Sequence, residues 1–411
     1  MGERMIRLLS PFVMLCIVGL VARLGYQMAR SPVLPRFAQD LGAAPELVGL
    51  IVGASTITGV FIKLPAGALS DVFGRRRVLV LGAAFFAFPP FLYPFVHTPE
   101  ALLLLRFLHG VSTAIFSPVA SAAVADLFKQ GRGERLGWFA SANEAGSALG
   151  PVIGGAVLFA SASYTVTYLL VGALGVLAFL LAVVLPIGAQ GSRGSPPAPA
   201  AQTSPGLSRR QQFVTGVKEA VLDRAILVAS SAEAVMFLGA GALIGFLPLY
   251  AKSVGLNEVQ VGLILGVLLV TAMAGKPLTG RLSDRLGRKV MILGGLVLCA
   301  VALPVMPLMT SVTGLMADAA VFGLGMALVT PSTTALITDL CKAGNRGAAL
   351  GVFGTIWDTG EALGPILAGV LIGRLSYGLT YAIIGAAVLA AALSFGLLVR
   401  DPTAQRKTNP A

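Results

Sequence analysis

Twelve long apolar runs, spread from one end of the chain to the other, constrain this sequence more than any other feature. Each is about 20 residues long, which is the length of α-helix that crosses a hydrocarbon layer about 30 Å thick. Only 12% of the 411 residues are charged, about half the usual share in a soluble domain. We therefore predict an all-α membrane protein with twelve transmembrane helices, here called spans 1 to 12: 8–30, 46–66, 78–96, 100–126, 137–160, 165–187, 225–250, 259–279, 290–309, 313–338, 348–372 and 377–399.

The distribution of positive charge predicts how these spans are oriented. Of the 30 Lys and Arg residues, 22 lie in the two termini and in alternate connections. The connections on the other side contain only Arg36, Lys252 and Arg374. Because positive residues are retained on the cytoplasmic side, both termini are predicted to be cytoplasmic, in the plasma or inner membrane of the cell. The net charge of +12 is explained in this way, so we expect no nucleic-acid partner.

One charged stretch occurs twice in the chain. GALSDVFGRRRVL at 67–79 returns as GRLSDRLGRKVMI at 280–292, which is 213 residues later. The same offset relates four further pairs: Pro35 and Pro248, Lys63 and Lys276, Pro118 and Pro331, Asp126 and Asp339. We predict two parallel six-helix bundles, 1–187 and 223–411, joined by a cytoplasmic linker at 188–222 that contains a Gly-, Ser- and Pro-rich stretch. Parallel halves with a substrate site between them are typical of secondary transporters.

Charged residues inside the spans identify the candidate proton carriers. A charge at the centre of a bilayer costs about 2.5–3.5 kcal/mol, so each one that is retained needs a reason. Spans 3, 6, 9 and 12 contain none, which predicts four lipid-facing helices around a polar cavity. An acid in a desolvated cavity favours its protonated form, and it can load and release a proton as access alternates. The candidate acids are Glu233 in the middle of span 7, then Glu144, Asp358, Glu361 and Asp318. The alternative for each acid is a structural ion pair with an arginine or a lysine.

The duplicated stretch resembles the loop signature of the major facilitator superfamily, in which glycines, an acid and basic residues follow a fixed order. The resemblance covers the whole chain, because the number of spans also agrees. It implies two bundles that rock around a central cavity lined mainly by spans 1, 4, 7 and 10. It further implies a cytoplasmic gate in which Asp71 caps the nearby end of span 11, while Arg75 and Asp126 complete a charge network. The gate residues of the two copies are Gly67, Asp71, Gly74, Arg75, Arg76, Asp126, Gly280, Asp284, Gly287, Arg288 and Asp339. The alternative is an anchor that only fixes the topology.

Two further motifs indicate a subfamily. GSALGPVIGG in span 5 resembles a motif of antiporters that export compounds, and its residues are Gly146, Gly150, Pro151, Gly154 and Gly155. Glycines at a spacing of four form a smooth stripe that a neighbouring helix can approach, so an ordinary packing face is the alternative. RFLHGVSTA in span 4 resembles a motif that the family links to proton coupling through Arg106, with His109 where Gln is usual. The chain is thus similar to the twelve-span drug/proton antiporters.

The leading hypothesis is a secondary active transporter that exports small amphipathic organic compounds, or drugs, in exchange for protons by alternating access. Its substrate cavity would include Arg23, Arg106, His109 and Glu233. We expect a small-molecule substrate, protons and the lipid bilayer as partners, and a monomer. The three scattered cysteines predict no metal site, and we expect no cofactor.

Two alternatives remain open at this point. One is an importer or facilitator of a small organic anion or metabolite, because the guanidinium groups of Arg23 and Arg106 would bind an anion well. The other is a membrane-embedded enzyme, which we disfavour because the sequence contains no HExxH, no GxSxG and no nucleotide-binding loop.

Overall fold

In a computed structural model, the chain is described over residues 10–128, 132–187, 209–341 and 346–399. All regular secondary structure within these ranges is helical, which confirms the predicted all-α class. The helices of spans 1 to 6 are Pro11–Arg30 followed by Val33–Asp40, Pro45–Phe73, Arg75–Ala87 followed by the 3₁₀ segment Pro89–Phe95, Pro99–Leu127, Arg132–Ser161 and Tyr164–Val184. Those of spans 7 to 12 are Arg224–Ser253, Glu258–Leu286, Arg288–Val305 followed by Met306–Leu308, Val312–Leu340, Arg346–Ile372 and Tyr377–Leu398.

Eleven of these spans are long and apolar enough to cross a membrane, judged by length and composition over the described residues. Span 11 is the exception, although its helix has 27 residues. It carries Asp358 and Glu361 near its middle, and two acids lower the hydropathy of every stretch that contains them. Within the most apolar 18-residue stretch of each of the eleven, the share of buried residues is largest in span 7, at 72%, and smallest in span 12, at 33%. Among these eleven, and over the described residues, the apolar stretch of span 7 is therefore the most enclosed by protein.

The predicted linker divides into a part that the structure describes and a part that it does not. Its Gly-, Ser- and Pro-rich stretch lies in 188–208, outside the described residues. The remainder, Arg209–Leu222, forms a helix that packs against span 11. Ala220 of this helix belongs to a small apolar cluster with Ile226, Ile337 and Phe353. The second part of the predicted linker is therefore packed helix.

By packing, the chain divides into two compact units. The first takes its described residues from Met1–Ser195 and Ile244–Leu269, and the second takes them from Pro196–Leu243 and Val270–Ala411. In the first unit, span 1 packs against spans 5 and 6, and span 2 packs against span 4. In the second unit, span 9 packs against spans 10 and 12. The predicted bundle boundaries at 187 and 223 stay a prediction.

The internal repeat is visible in the hydrogen bonds as well as in the sequence. The Tyr168 hydroxyl donates to the carbonyl oxygen of Ala29, and the Tyr381 hydroxyl donates to that of Ala242. Both partners in the second bond are 213 residues beyond those in the first. The same offset relates further features: the side-chain caps Thr98 and Ser311, the caps Ser163 and Ser376, and the bonds from Arg76 to Val183 and from Lys289 to Gly396. Each half of the sequence thus makes the same local contacts.

Two glycines explain why the duplicated stretch turns so tightly. Gly74 has φ of +92° and Gly287 has φ of +107°, and each separates two consecutive spans. Only glycine adopts this region without steric conflict between Cβ and the backbone. The stretch therefore ends one helix and begins the next within a single residue.

Candidate functional site

Glu233 is the most completely buried acid among the described residues, with 1% of its surface exposed. It lies in the first half of the span 7 helix. Its Oε2 atom has no hydrogen-bond partner in the described part of the chain. Thr330 and Thr333 on span 10 and Lys276 on span 8 are the polar neighbours of the carboxyl group. A hydroxyl can accept a hydrogen bond from the neutral acid or, after its O–H rotates, donate one to the carboxylate, so these neighbours suit both protonation states.

Small residues bring span 11 close to span 7 beside this carboxyl group. A Cβ atom added to Gly360 would overlap the carbonyl oxygen of Ala234, and one added to Gly364 would overlap that of Leu238. Contact at this distance between two backbones requires glycine. The stretch of span 7 that carries Glu233 is therefore packed tightly against span 11.

The other candidate acids differ in their exposure and in their polar contacts. Asp358 is 5% exposed, whereas Glu144 and Glu361 are half-buried, and all three interact with neighbouring groups. Asp318 on span 10 is 9% exposed, and the structure records no hydrogen bond or ion pair between it and another described residue. Glu233 and Asp318 are thus the two candidate acids whose polar atoms are least satisfied by the described residues.

Arg106 forms the centre of a second buried polar group, in the first unit. Its side chain is fully buried, its Nη2 atom donates to Ser55 Oγ at 3.0 Å, and its guanidinium carbon lies 5.4 Å from the ring centroid of Tyr26. The Nε and Nη1 atoms have no hydrogen-bond partner among the described residues. The predicted cavity residue Arg23 is bound elsewhere, because its Nη2 atom donates to Ser117 Oγ at 3.0 Å.

His109 joins the same group through three tyrosines that the sequence analysis did not single out. Its Nδ1 atom is 3.1 Å from the Tyr93 hydroxyl, and its ring is 5.2 Å from that of Tyr26. Tyr93 in turn stacks on Tyr168 at 3.9 Å. The tyrosines come from three different spans, so only the fold brings them together. Their sequence signal is weak: each is an isolated amphipathic residue in an apolar run.

The glycine stripe of span 5 packs against two different helices. Cβ atoms added to Gly146, Gly150 and Gly154 would meet Leu20, Gln27 and Met28 of span 1. One added to Gly155 would instead meet the carbonyl oxygen of Glu258 at the start of span 8. Pro151 takes part as well, since its carbonyl oxygen lies where a Cβ on Gly262 would go. The stripe is therefore a close-packed contact, and a role for it in export stays a prediction.

The predicted gate residues form two similar charge networks. Arg75 lies 2.5 Å from Asp71 and 2.9 Å from Asp126, and it also donates to Ser70 Oγ. In the second copy, Arg288 lies 2.5 Å from Asp284 and 3.4 Å from Asp339. Gly67 and Gly280 have open space where a Cβ would stand. Exposed ion pairs of this kind contribute about 1 kcal/mol or less each, so these networks add little to the stability of the protein. The cap on span 11 stays a prediction.

Two ion pairs involve Arg36 and Lys252, which the sequence analysis had used only to orient the chain. Arg36, on the short helix after span 1, pairs with Glu258 and is 3% exposed, while its Nη2 atom donates to the carbonyl oxygen of Leu256. Nearby, Lys252 lies 3.2 Å from Asp40, whose other carboxylate oxygen accepts from the Tyr164 hydroxyl. The sequence signal for these pairs was an acid in each predicted connection: Asp40 lies between spans 1 and 2, and Glu258 lies between spans 7 and 8.

Comparison with known proteins gives consistent matches along the chain. The sequence model described as Major Facilitator Superfamily matches residues 15–250 and 229–411. An uncharacterised MFS-type transporter of Methanocaldococcus jannaschii is 25% identical over 350 residues, which are 83% of this chain and 86% of that protein. Quinolone resistance protein NorA of Staphylococcus aureus is 30% identical over 155 residues, which are 38% of this chain and 39% of NorA.

Two solved structures share the fold. The nucleoside transporter NupG, in a mutant form, has a TM-score of 0.76 and 16% identity, and the match covers 95% of this chain and all of that one. A bacterial homologue of the human lysosomal transporter Spinster, in an inward-facing and unoccupied conformation, has a TM-score of 0.73 and 16% identity, with 98% of each chain covered. At this identity the likeness concerns the fold alone.

Proposed function

Because this chain belongs to the major facilitator superfamily and is a membrane transporter rather than an enzyme, we propose that it exports small amphipathic organic compounds in exchange for protons. The observation that carries this proposal is the Glu233 carboxyl group, buried within a membrane span with one oxygen unpartnered among the described residues. The relationship to a quinolone resistance protein supports export of drug-like compounds, over the 38% of the chain that it covers.

The proton-carrying role of Glu233 follows from where the carboxyl group lies. A carboxylate in a dry, low-dielectric setting favours the neutral acid, so Glu233 holds a proton while it is enclosed. Opening the site to water favours the ionised form, and the proton leaves on that side. Thr330 and Thr333 provide hydroxyls that can accept from the neutral acid or donate to the carboxylate. Alternating access to the site then couples proton entry to substrate exit.

The available energy is sufficient for export against a gradient. One proton that enters the cell supplies about 2.3 kcal/mol per 100 mV of membrane potential. Each unit of pH difference adds about 1.4 kcal/mol. One proton per cycle can therefore sustain a substrate concentration ratio on the order of a hundred, since tenfold in a ratio corresponds to about 1.4 kcal/mol.

Other buried groups have supporting roles in this proposal. Asp318 is the second candidate carrier, because the structure records no partner for it among the described residues. Arg106 and His109 contribute a buried polar group to the substrate cavity. The networks of Arg75 and Arg288 act as the gate on the cytoplasmic side, to which the charge distribution assigns both termini. The transporter works as a monomer in the plasma or inner membrane.

Export is tested by accumulation of fluorescent amphipathic compounds in cells that express the chain. We expect expressing cells to retain less of at least one compound than control cells, because proton entry drives its exit. A protonophore should abolish the difference by collapsing the gradient. A variant with Asp318→Asn and Glu233→Gln together serves as the inactive control.

Import of an organic anion is the competing function, and the unpartnered Nε and Nη1 atoms of Arg106 are the observation that favours it. It predicts the opposite result in the same assay. Greater accumulation of an anionic compound in energised expressing cells would reject export and favour import.

A further inference from the structure

A pocket lined by neither Glu233 nor Arg106 lies between span 1 and span 5, entirely within the first unit. Its volume is about 460 Å³, within the range of sites that hold drug-sized ligands. Span 1 contributes apolar side chains such as Phe12, Ile17 and Leu20, and also Cys16. Span 5 contributes Arg135, Trp138, Ser141 and Ala142, so one guanidinium group is the only charge among the described residues of the lining. The pocket is thus apolar along one wall and cationic at one point.

The guanidinium group of Arg135 is held in place by two aromatic rings. Its central carbon lies 5.6 Å from the ring centroid of Phe12 and 5.1 Å from that of Phe128. The two rings meet edge to face at 5.4 Å. Stacking on rings uses the faces of a guanidinium group and leaves its N–H donors at the edge for a ligand. In the described part of the chain, no carboxylate pairs with Arg135.

The positions along the helices separate the charge from the apolar wall. Phe12 and Arg135 lie near the first residues of their helices, whereas Leu20 and Ala142 lie about two turns further on. A ligand that satisfied both ends would therefore be amphipathic, with an acidic group at Arg135 and an apolar body beside Ile17 and Leu20. Carboxylate and sulfonate groups match the paired donors of a guanidinium group.

We propose that this pocket binds an amphipathic organic anion, whose acidic group pairs with Arg135 and whose apolar body lies along Ile17 and Leu20. The anion arrives from the predicted cytoplasmic side, where both helices begin. This proposal rests on the proposed function in one respect: the ligand of the pocket is taken to be a compound that the protein transports. A phospholipid with two acyl chains would extend well beyond the pocket, so a compact single-ring or two-ring anion is the better fit.

Two probes with the same apolar body distinguish charge recognition from simple partitioning. Anilinonaphthalene sulfonate carries an anionic group, and phenylnaphthylamine lacks it. The chain has two tryptophans, so Trp357→Phe leaves Trp138, in the pocket wall, as the sole energy donor to either bound probe. In liposomes of zwitterionic lipid we expect saturable energy transfer to both. Arg135→Gln should weaken the sulfonate at least tenfold and change the uncharged probe less than twofold, with Arg135→Lys in between.

Cys16 offers a second readout that does not depend on tryptophan. With Cys299→Ser and Cys341→Ser it becomes the sole cysteine, half-buried in the pocket wall. The sulfonate probe should slow its reaction with a maleimide several-fold in this background. Adding Arg135→Gln should remove the protection while the unprotected rate stays the same, which also shows that the variant is folded.

Three results would overturn the proposal. One is equal weakening of both probes by Arg135→Gln. Another is sulfonate binding that gives no protection of Cys16. The third is protection of Cys16 by phosphatidylglycerol in the absence of the sulfonate probe, because an anionic lipid head group would then occupy the site. None of these measurements requires transport, so binding can fail while proton-coupled export stands, and Glu233→Gln can abolish export while binding persists.

Discussion

At the scale of single residues, burial decides which of two neighbouring ion pairs matters for stability. The side chain of Arg36 is 3% exposed and that of its partner Glu258 is 24% exposed. The side chains of Asp40 and Lys252 are 44% and 47% exposed. The distribution of Lys and Arg predicted that Arg36 and Lys252 lie on the same side of the membrane. It could not pair them with acids more than 200 positions away, because such pairing depends on how the helices pack.

Removal of the buried pair should destabilise the protein much more than removal of the exposed one. Glu258→Ala leaves the Arg36 charge enclosed, and we expect the free energy of unfolding to fall by about 3 kcal/mol, the lower end of the cost of breaking a buried pair, because Glu258 is itself 24% exposed. Asp40→Ala should lower it by about 1 kcal/mol or less. Unfolding in detergent, followed by circular dichroism, measures both. Equal losses for the two variants would contradict this account.

At the scale of helices, one glycine stripe was foreseen and its partners were not. Spacing by four predicted that Gly146, Gly150 and Gly154 form one face of span 5. Spacing carries no information about which helix approaches that face. In the structure it is span 1, which Gly146 meets at Leu20, while Gly155 meets span 8 instead. The same limit applied to the tyrosines around Arg106, which come from three spans and meet only after packing.

Two alanine substitutions within the span 5 helix should have opposite outcomes. Gly150→Ala places its Cβ 2.5 Å from Gln27 Cβ and 3.0 Å from backbone atoms of span 1, so overpacking should cost about 1–3 kcal/mol and reduce transport. Gly137→Ala, in the same helix, meets nothing within 4 Å and should be neutral or slightly stabilising. Thermal unfolding and the accumulation assay compare them. A neutral Gly150→Ala would show that the stripe does not require close contact.

At the scale of the whole molecule, the internal repeat in the sequence has counterparts in the structure. Positions at which the two halves differ indicate residues with a role in one half only. The offset of 213 residues relates caps, turns and tyrosine hydrogen bonds in the two halves. At this offset Glu233 corresponds to Leu20, an apolar residue of span 1. The first half forms its helix without an acid there, so the fold does not require one. Glu233 is therefore a specialised residue of the second half, which agrees with a role in coupling.

Substrate-driven proton movement in liposomes tests the central claim most directly. The protein is reconstituted into liposomes that contain a pH-sensitive dye and maintain a proton gradient. A compound that the accumulation assay identifies as exported is then added. We predict that Glu233→Gln abolishes the coupled proton movement while substrate exchange persists, because the amide mimics the protonated acid and cannot release a proton. Ser230→Ala, which removes another buried polar group of the same helix with no partner among the described residues, should behave as wild type. If Glu233→Gln still moves protons and substrate in the wild-type ratio, Glu233 is not the proton carrier and the account is wrong.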